Sequence, residues 1–487
     1  MSRRTRREFL EDSMFATAAA LAAGSATQVF AQEEQVRSAN ETLSVAVLGV
    51  NNRGRDHLGG FAGKGSTVVT HICDPDERVG QRQAEGVSRR QNGKAAKYVK
   101  DLREVFDDPS VDIVSIATPN HWHALAAIWA IQAGKDVYVE KPVSHNVTEG
   151  RRIVDAARKH QKICQTGTQC RTNPGMREAI AFVQEGGIGT VKVGRGLCYK
   201  RRDSIGEKGT RSVPEHIDYN LWCGPAPDGP VTRPQFHYDW HWQWAYGNGD
   251  LGNQGIHQMD IARWGLGVDS ISNAVISYGG RFGYEDAGET ANTQVVIHDY
   301  DDKTLVFEVR GLETDRYKGA DVGVIFEGTD GYMVIASYDS GTAFDKEGNI
   351  IKTFRGGASH YDNFVKAVKS RNRDDLNADI LEGHLSSALC HLGNISYLLG
   401  DEVSRDEAVD RLKSYDHLED DVVATFERTE EHLAENDVKL QMTSVKLGPM
   451  LKIDPVSEQF IDNSTADTML TRDYRKPFVV PARAADV

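Results

Sequence analysis

The sequence predicts an α/β protein with two domains: a doubly wound parallel sheet, then an α+β domain with an open, mostly antiparallel sheet. Between about residues 40 and 168, apolar β-branched runs alternate with helical segments, which is typical of parallel sheets with crossover helices. In residues 169–400, strand-like segments follow one another with few helices until helical patterns return near residue 357. Residues 401–487 form a charged, partly helical C-terminal extension.

The composition is that of a soluble globular protein. The 487 residues are 39% hydrophobic and 26% charged, which excludes disordered and fibrous classes. The chain has 57 basic and 71 acidic residues, which gives a net charge of −14. This acidic balance argues against nucleic acid as a partner. The six cysteines contain no CxxC pair, so they predict neither a disulfide framework nor a zinc site.

Residues 1–31 have the features of a secretory signal peptide. A basic start is followed by the apolar run Met14–Gly24 and by small residues ending at Ala31. As a helix that run spans roughly 17 Å, against roughly 30 Å of hydrocarbon, so we expect no stable membrane insertion. The pair Arg6-Arg7 before Phe9-Leu10 resembles a twin-arginine signal, which predicts a periplasmic or otherwise exported protein. The alternative is a basic amphipathic N-terminus on a cytoplasmic enzyme.

A strand, a tight turn and a helix open the first domain in the manner of a Rossmann dinucleotide-binding domain. The strand Leu43–Leu48 runs into a turn whose predicted cofactor-binding residues are Gly49, Asn51, Asn52, Arg53 and Gly54. Asn51 replaces the usual middle glycine, and asparagine tolerates positive φ. Asp74 follows the strand Thr67–Cys73, 20 residues after Gly54, where a carboxylate accepts hydrogen bonds from ribose. Its charge would repel a 2′-phosphate, so NAD is favoured over NADP.

Two further strands bring polar residues to the same edge of the sheet. The strand 112–118 is followed by Pro119 and a helix over 124–133, and the strand 136–142 by a helix over 148–159. Ligands of such sheets bind outside the carboxyl ends of the strands. We therefore expect further cofactor contacts from these strand ends, namely from Thr118, Asn120, His121, Glu140 and Lys141.

These motifs resemble the Gfo/Idh/MocA family, named for glucose-fructose oxidoreductase and inositol dehydrogenase. The resemblance rests on the glycine turn, Pro119-Asn120-His121, Glu140-Lys141-Pro142 and Gly255–Asp260, and it spans residues 42–400. It implies a nicotinamide-dependent sugar oxidoreductase whose second domain covers the nicotinamide with a sheet face. We expect residues 169–400 to serve substrate binding and assembly into a homo-oligomer, a dimer or tetramer.

Strands of the second domain are predicted from β-rich segments, and helices from amphipathic ones. The predicted strands are Val191–Tyr199, Ser270–Tyr278, Thr293–Asp299, Thr304–Arg310 and Val322–Glu327. The predicted helices are His360–Ser370 and Leu381–Leu399.

Lys141 is the first candidate for catalysis. Hydride transfer from a sugar carbon requires a group that takes the hydroxyl proton. A partly desolvated lysine beside a cationic nicotinamide should have a lowered pKa, and Pro142, through a cis peptide bond, can fix its direction. Glu140 is expected to contact the nicotinamide ribose or to pair with Lys141. The alternative for Lys141 is a solvated surface lysine.

His257 is the second candidate, because imidazole transfers protons near neutral pH. Asp260, three residues later, would share its helical face and orient the ring; the alternative is a packed or surface histidine. The family often carries aspartate four residues before this histidine, where this chain has Asn253. Asparagine binds a substrate hydroxyl but cannot take its proton, and Asp250 is a candidate to compensate.

An aromatic stretch, 236–246, includes Trp240 and Trp242 and suits stacking on a sugar ring. The alternative is an aromatic core strand or a subunit interface. The basic run Lys200-Arg201-Arg202 predicts either an acidic-sugar site, with Lys200 as a substrate contact, or a solvated face. No Cys, Asp or Glu spacing completes a metal site around the histidines of this chain, so we expect no metal. His384 and His391 are predicted to be packing residues.

Export constrains the mechanism, because a cofactor that dissociates outside the cytoplasm would be lost. The first hypothesis is therefore an oxidoreductase with tightly bound NAD that is recycled within the active site. The second is a glycoside hydrolase or lyase that oxidises, eliminates, hydrates and then reduces its substrate, a route that needs no carboxylate pair. The third is a non-catalytic sugar-binding protein, against which the intact Lys141 and His257 argue.

Overall fold

The computed structural model describes residues 41–487; the predicted signal peptide, residues 1–31, lies outside the described residues. The first domain contains six parallel strands in this described part, in the order β3-β2-β1-β4-β5-β6. The strands are β1 Leu43–Leu48, β2 Thr67–Cys73, β3 Lys97–Val99, β4 Ile113–Ile116, β5 Asp136–Val139 and β6 Cys164–Thr166. The helices are α1 Gly54–Phe61, α2 Glu77–Arg90, α3 Arg103–Phe106, α4 Asn120–Gln132 and α5 Val147–Lys159. The predicted parallel α/β fold is confirmed.

The central strands of this sheet are apolar because helices cover both faces. All four residues of β4 and of β5 are buried, as expected for parallel strands between two helical layers. The helix α4 is buried almost all round. It begins at Asn120, four residues before the predicted start, because Pro119 provides the fixed φ that opens the helix.

The second domain is a large mixed sheet in which most pairs are antiparallel and β7 pairs β10 in parallel. Its main strands are β7 Val191–Tyr199, β8 Ala274–Gly280, β9 Thr293–Asp299, β10 Thr304–Arg310, β11 Val322–Gly328, β12 Gly331–Ile335, β13 Ser340–Asp345 and β14 Ile350–Arg355. The helices in this part of the chain are α6 Pro174–Gln184, α7 Tyr219–Cys223, α8 Gly249–Asn253, α9 Gly255–Leu266, α10 His360–Ser370 and α11 Ile380–Leu398. Of these, α10 packs against the Rossmann sheet, where Phe364 shares a buried cluster with Val45 and Phe61. β8 begins four residues later than predicted, since residues 270–273 connect it to α9.

Residues 401–487 are integrated into both domains. They form β15 Asp401–Val403, α12 Arg405–Leu412, α13 Val422–Glu435, β16 Val445–Leu447, β17 Leu451–Asp454, β18 Gln459–Phe460 and α14 Ser464–Thr468. β15 and β16 extend the large sheet beyond β8. Phe426 and Leu433 of α13 share a buried cluster with Ile276 and Val295, so this segment covers one face of the sheet.

The opposite face of the large sheet carries the main core of the domain. There Phe307 and Phe326 pack in one cluster with Met259 of α9 and Leu389 of α11. His384 and His391 of α11 are buried, as predicted for packing residues. All six cysteines lie within the described residues and are buried and free.

The segment between β7 and α8, residues 200–248, is an insertion with its own small aromatic core. Trp222, Trp240 and Tyr246 form this core, and the guanidinium of Arg233 lies 4.2 Å from the Trp222 ring centre. The stretch that contains Trp240 and Trp242 is a 3₁₀ turn, Asp239–Trp242, rather than a strand. The insertion reaches back to the Rossmann domain through an isolated bridge between Asp76 and Ile217.

The last residues of the chain return to the Rossmann domain. The ring of Phe478 lies 5.4 Å from that of Trp122 and 6.3 Å from that of Trp129, both on α4. Val480 and Val487 join the same buried cluster. Among residues 41–487, the helices are all too short or too polar to cross a bilayer.

Candidate active site

A cavity of about 260 Å³ lies at the carboxyl ends of the Rossmann strands. From the first domain it is lined by Gly49, Asn51, Asn52, Arg53, Asp74, Lys100, Leu102, Thr118, Asn120, Glu140 and Lys141, among others. From the insertion it is lined by Leu221, Trp222, His237, Tyr238, Trp240 and His241, and Asn253 completes the wall. The structure thus brings the predicted strand-end residues, with the exception of His121, together in one crevice, which the insertion lines from the other side.

The turn after β1 packs too closely for any side chain at its two glycines. Gly49 has φ +74°, and a Cβ there would lie 2.8 Å from the Ala117 oxygen. A Cβ on Gly54 would lie 1.9 Å from the Gly49 oxygen, so Gly54 acts behind the turn, at the start of α1. Asn51 does not have a positive φ, so the turn makes no use of the tolerance that the sequence suggested. This close approach and the N-terminus of α1 suit a pyrophosphate.

Asp74 lies at the cavity wall beside this turn. Its Oδ2 accepts a 2.9 Å hydrogen bond from the Val50 N–H, and its Oδ1 accepts one of 2.9 Å from the Asp76 N–H. Burial raises the pKa of Asp74 to about 6. Each carboxylate oxygen keeps a second lone pair for a ribose hydroxyl, so the residue fits an NAD ribose.

Glu140 is held in an ion pair with Arg53. The Arg53 Nε donates to Glu140 Oε1 at 2.7 Å, and His57 Nε2 lies 3.1 Å from the same oxygen. Although burial alone would raise it, Arg53 and His57 hold the pKa of Glu140 well below its usual range. Glu140 therefore does not pair with the Lys141 side chain. From Lys141 it accepts a hydrogen bond of the main-chain N–H alone, at Oε2 and 3.2 Å.

Lys141 lies in the cavity wall, half-buried, and its Nζ donates a 2.8 Å hydrogen bond to the Asn253 main-chain oxygen. Its peptide bond to Pro142 is cis, as the sequence suggested. Burial lowers the pKa of Lys141, so the neutral amine, a proton acceptor, is more accessible than in a surface lysine.

His257 lies behind the cavity wall. Its side chain is 5% exposed, its ring centre is 4.9 Å from that of Tyr338, and its buried Nδ1 has no hydrogen-bond partner in the described structure. Burial lowers the pKa of His257 well below its usual value. The prediction that Asp260 orients this ring is wrong: Asp260 binds Arg171 at 2.8 Å and Ser386 at 2.7 Å. A buried carboxylate pairs with the cation within reach, and Arg171 supplies that cation.

Two predicted substrate residues line the cavity, and three do not. Asn253 and Trp240 are in its wall. Both oxygens of Asp250 are taken by Arg202, at 2.6 and 2.8 Å, and the Arg202 guanidinium covers the Trp242 ring at 5.0 Å. Asp250 therefore cannot replace an aspartate at position 253. Lys200 is exposed, and its Nζ lies 3.3 Å from Gln254 Oε1.

His121 also differs from its predicted role as a cofactor contact. It is fully buried, and its Nε2 lies 2.9 Å from the main-chain oxygen of Trp222. His121 therefore contacts the main chain of the insertion, and its neighbour Asn120 lines the cavity instead. The reason is that α4 starts at Asn120, so the next residue points to the opposite side.

Several residues of the site were missed by sequence reasoning. Lys100 follows β3 and lines the cavity. The strand-end rule would have found Lys100, had β3 been recognised. Tyr238 and His241 lie in the cavity wall, but their place depends on how the insertion folds back, which no local pattern predicts.

The insertion is fastened over the cavity from two sides. On one side His237 Nε2 lies 2.8 Å from Asp76 Oδ2, and the Glu77 N–H donates to the His216 oxygen at 3.0 Å. On the other side Arg472 donates to the Ala245 oxygen at 3.0 Å. The cavity wall is thus held by the Rossmann domain and by the C-terminal segment together.

No group of His, Cys, Asp and Glu within residues 41–487 is arranged to hold a metal ion. The histidines considered for zinc are separated: His123 lies buried between the Thr118 and Pro142 oxygens, at 2.7 and 2.6 Å, whereas His237 and His241 belong to the insertion.

Two family models match the chain. Residues 43–168 match an oxidoreductase family described as an NAD-binding Rossmann fold, and residues 199–430 match the C-terminal alpha/beta domain of an oxidoreductase family. Together these ranges cover most of the chain.

Two relatives align with parts of it. Levoglucosan dehydrogenase of Pseudarthrobacter phenanthrenivorans is 30% identical over 178 residues, which is 36% of this chain and 38% of that protein. Alpha-N-acetylgalactosaminidase of Shewanella oneidensis is 35% identical over 127 residues, 26% of this chain and 28% of that protein. The chain thus aligns with less than half the length of either relative.

Solved structures share the fold. The WlbA dehydrogenase of Bordetella pertussis in complex with NADH and UDP-GlcNAcA has a TM-score of 0.55 at 18% identity, over 73% of this chain and 96% of that chain. A levoglucosan dehydrogenase in complex with NADH and levoglucosan has a TM-score of 0.56 at 19% identity, over 72% and 96%.

Proposed function

Because the chain belongs to the Gfo/Idh/MocA family of NAD-binding oxidoreductases, we propose that it transfers a hydride between a sugar and a nicotinamide that stays bound through turnover. The position of Lys141 carries this proposal: a lysine with a lowered pKa in the cavity wall, held by the Asn253 oxygen. The bound cofactor supplies the hydride acceptor and donor.

Lys141 supplies the proton chemistry. A neutral amine at Nζ accepts the hydroxyl proton of the sugar while the hydride leaves, and the ammonium returns a proton in the reverse direction. The hydrogen bond to Asn253 fixes the direction of the side chain, which leaves the lone pair of the amine free for the substrate. Asn253 lies in the wall to bind a hydroxyl, and His257 is the second proton-handling candidate, close behind it.

Asp74 supports NAD rather than NADP. Its carboxylate lies beside the glycine turn, where it can accept from ribose hydroxyls and would repel a 2′-phosphate. The insertion supports tight binding, since Trp222 and His237 line the same cavity as Asp74 and add to the surface that a bound nucleotide would contact.

Tight binding suits an exported protein, and we propose export by the twin-arginine route to the periplasm or beyond. A cofactor loaded before export would be retained, and oxidation of one sugar would be balanced by reduction of another at the same site. We further propose a homo-oligomer, a dimer or tetramer, whose mass is measurable by light scattering of the mature chain.

The experiment is a substrate screen of the purified full chain. Mass spectrometry of the denatured protein identifies the bound nucleotide, and the absorbance of reduced nicotinamide then reports which sugars reduce it. We expect bound NAD, reduction by at least one sugar, and a rate of reduction about 10² to 10⁴ lower in Lys141→Met. Absence of any nucleotide, or rapid loss of it during purification, would contradict the proposal.

A glycoside hydrolase or lyase is the second candidate, and the covered cavity favours it. Oxidation, elimination, hydration and reduction return the nicotinamide to its starting state, so this cycle needs no cofactor exchange. The alignment with a protein named alpha-N-acetylgalactosaminidase is consistent with it. Release of an aglycone from an aryl glycoside without net reduction of nicotinamide would favour this candidate over the first.

A further inference from the structure

The three cations that follow β7 differ in whether a carboxylate neutralises them. Arg202 is held by both oxygens of Asp250. Arg201 is exposed and lies 2.9 Å from Glu313. Lys200 has no carboxylate within ion-pair distance among the described residues; its only side-chain partner there is the neutral oxygen of Gln254.

Lys200 reaches the same short segment as Lys141. The Lys141 Nζ donates to the oxygen of Asn253, and the Lys200 Nζ donates to the side chain of the next residue, Gln254. The carboxylates nearby are already engaged: Asp250 by Arg202, and Glu140 by Arg53. The two lysines therefore contact adjacent residues, Asn253 and Gln254, and the carboxylates of Asp250 and Glu140 are engaged by arginines.

Among the described residues, no carboxylate neutralises either lysine. Lys200 is exposed and lies outside the cavity lining, but the residue that it contacts, Gln254, directly follows Asn253, which lines the cavity. Two such cations beside the cavity suit a ligand that is polar and anionic.

We propose that the sugar substrate carries an anionic substituent, a carboxylate or an ester such as sulfate, and that Lys200 binds it. The inference rests on the proposed function, because it names the substrate class of the same site. In the basic run after β7, Arg202 holds Asp250, whereas Lys200 contacts Gln254, the residue after the cavity-lining Asn253.

Pairs of sugars that differ only in charge test this. The full chain with its bound cofactor is given glucuronic acid against glucose, galacturonic acid against galactose, and glucose 6-sulfate against glucose. We expect kcat/KM to favour the anionic member of at least one pair about tenfold, equivalent to about 1.4 kcal/mol, with the preference falling as salt is added. A uronic acid or a sulfate ester as the preferred member identifies which anion is bound.

Lys200→Gln should lower the ratio of acidic to neutral kcat/KM about tenfold, and the ratio cancels any general loss of activity. Arg201→Gln is the matched control, since this neighbouring exposed cation is paired with Glu313, and it should leave the ratio unchanged. Equal use of both members by the wild type, or an equal effect of the two variants, would overturn the proposal.

The proposed function and this inference fail in different ways. If no sugar of either charge reduces the cofactor, the proposed function is wrong, and calorimetry of glucuronic acid and of glucose 6-sulfate on the full chain still tests the site. Binding of either anion that is lost in Lys200→Gln would support the anion site, whereas no binding of either would overturn it.

Discussion

The side chain of Lys141 donates a 2.8 Å hydrogen bond to the main-chain oxygen of Asn253, and this bond joins the two domains across the crevice. Lys141 follows β5 of the Rossmann sheet, whereas Asn253 ends α8, just before the helix that packs on the large sheet. A shift of one domain against the other would therefore misdirect the Lys141 amine. In the proposed mechanism, this bond makes proton transfer by Lys141 depend on the assembled two-domain structure.

Removing the amine should abolish most of the chemistry. Lys141→Met keeps the length and apolar stem of the side chain but has no group to take the hydroxyl proton. We expect kcat for sugar oxidation to fall by about 10² to 10⁴, the usual contribution of a positioned acid or base. Lys192→Met is the control, because Lys192 lies near the start of β7, is exposed and pairs with Glu419. Full activity in Lys141→Met would instead support a non-catalytic role for this lysine.

The pH dependence should report the lowered pKa of Lys141. Burial lowers this pKa, and the charge of Arg53 lowers it further. In the proposed mechanism oxidation needs the neutral amine, so kcat/KM should rise with pH with a midpoint below the ordinary lysine pKa of about 10.4. Arg53→Gln should move the rising limb to higher pH, since it removes a cation and also releases Glu140. Arg55→Gln, which changes an exposed arginine two residues later in α1, should not move the rising limb.

The parallel domain was predictable because its signals are local. The strand Thr67–Cys73 and the helix His360–Ser370 have the predicted bounds, since apolar periodicity and turn residues mark them directly. The common edge of the strands follows from topology, so Gly49, Asp74 and Glu140 could be placed together before any coordinates.

The covering of the site was not predictable, because it depends on long-range contacts. Nothing near Trp240 indicates that its loop folds back to Asp76, or that the loop meets Arg472 more than two hundred residues later. The position of Asp260 on the helical face of His257 was read correctly, but a buried arginine from the segment after β6 competes for it. Sequence spacing predicts which residues share a face of a helix, but it does not predict which residue of another segment packs against that face.

Asp260 should therefore matter for stability and not for proton transfer. Asp260→Asn leaves Arg171 without one of its two carboxylate partners in the interior, where such a loss costs about 3–5 kcal/mol of unfolding free energy. Denaturant unfolding measures that loss, and the pH profile of kcat/KM should keep its shape. A profile that changed as it does in a His257→Gln variant would restore the orienting role of Asp260.

Asp74 should set the preference for NAD, and the preference should depend on pH. Its pKa of about 6 means that the carboxylate is charged above pH 6 and becomes neutral below it. Asp74→Asn should raise NADP binding relative to NAD by about tenfold, since the repulsion of a 2′-phosphate is lost. The wild type should approach the same ratio as the pH falls below about 6. Binding is measured on protein freed of nucleotide, with Glu77→Gln, an exposed neighbour on α2, as the control.

Retention of the cofactor should depend on Arg472, which fastens the insertion to the C-terminal segment. Arg472 donates to the oxygens of Ala245 and His121, at 3.0 and 3.4 Å, and so ties the insertion and α4 to the C-terminal segment. Arg472→Ala should raise the rate of NAD release about tenfold, a loss of about 1.4 kcal/mol, measured by dilution into a nucleotide scavenger. Arg483→Ala removes an exposed arginine of the same segment, whose side-chain partner within residues 41–487 is Asp486, and it should release NAD at the wild-type rate. If both variants hold NAD as the wild type does while their unfolding free energies differ, the fastening serves stability alone and the cofactor is retained by the Rossmann turn.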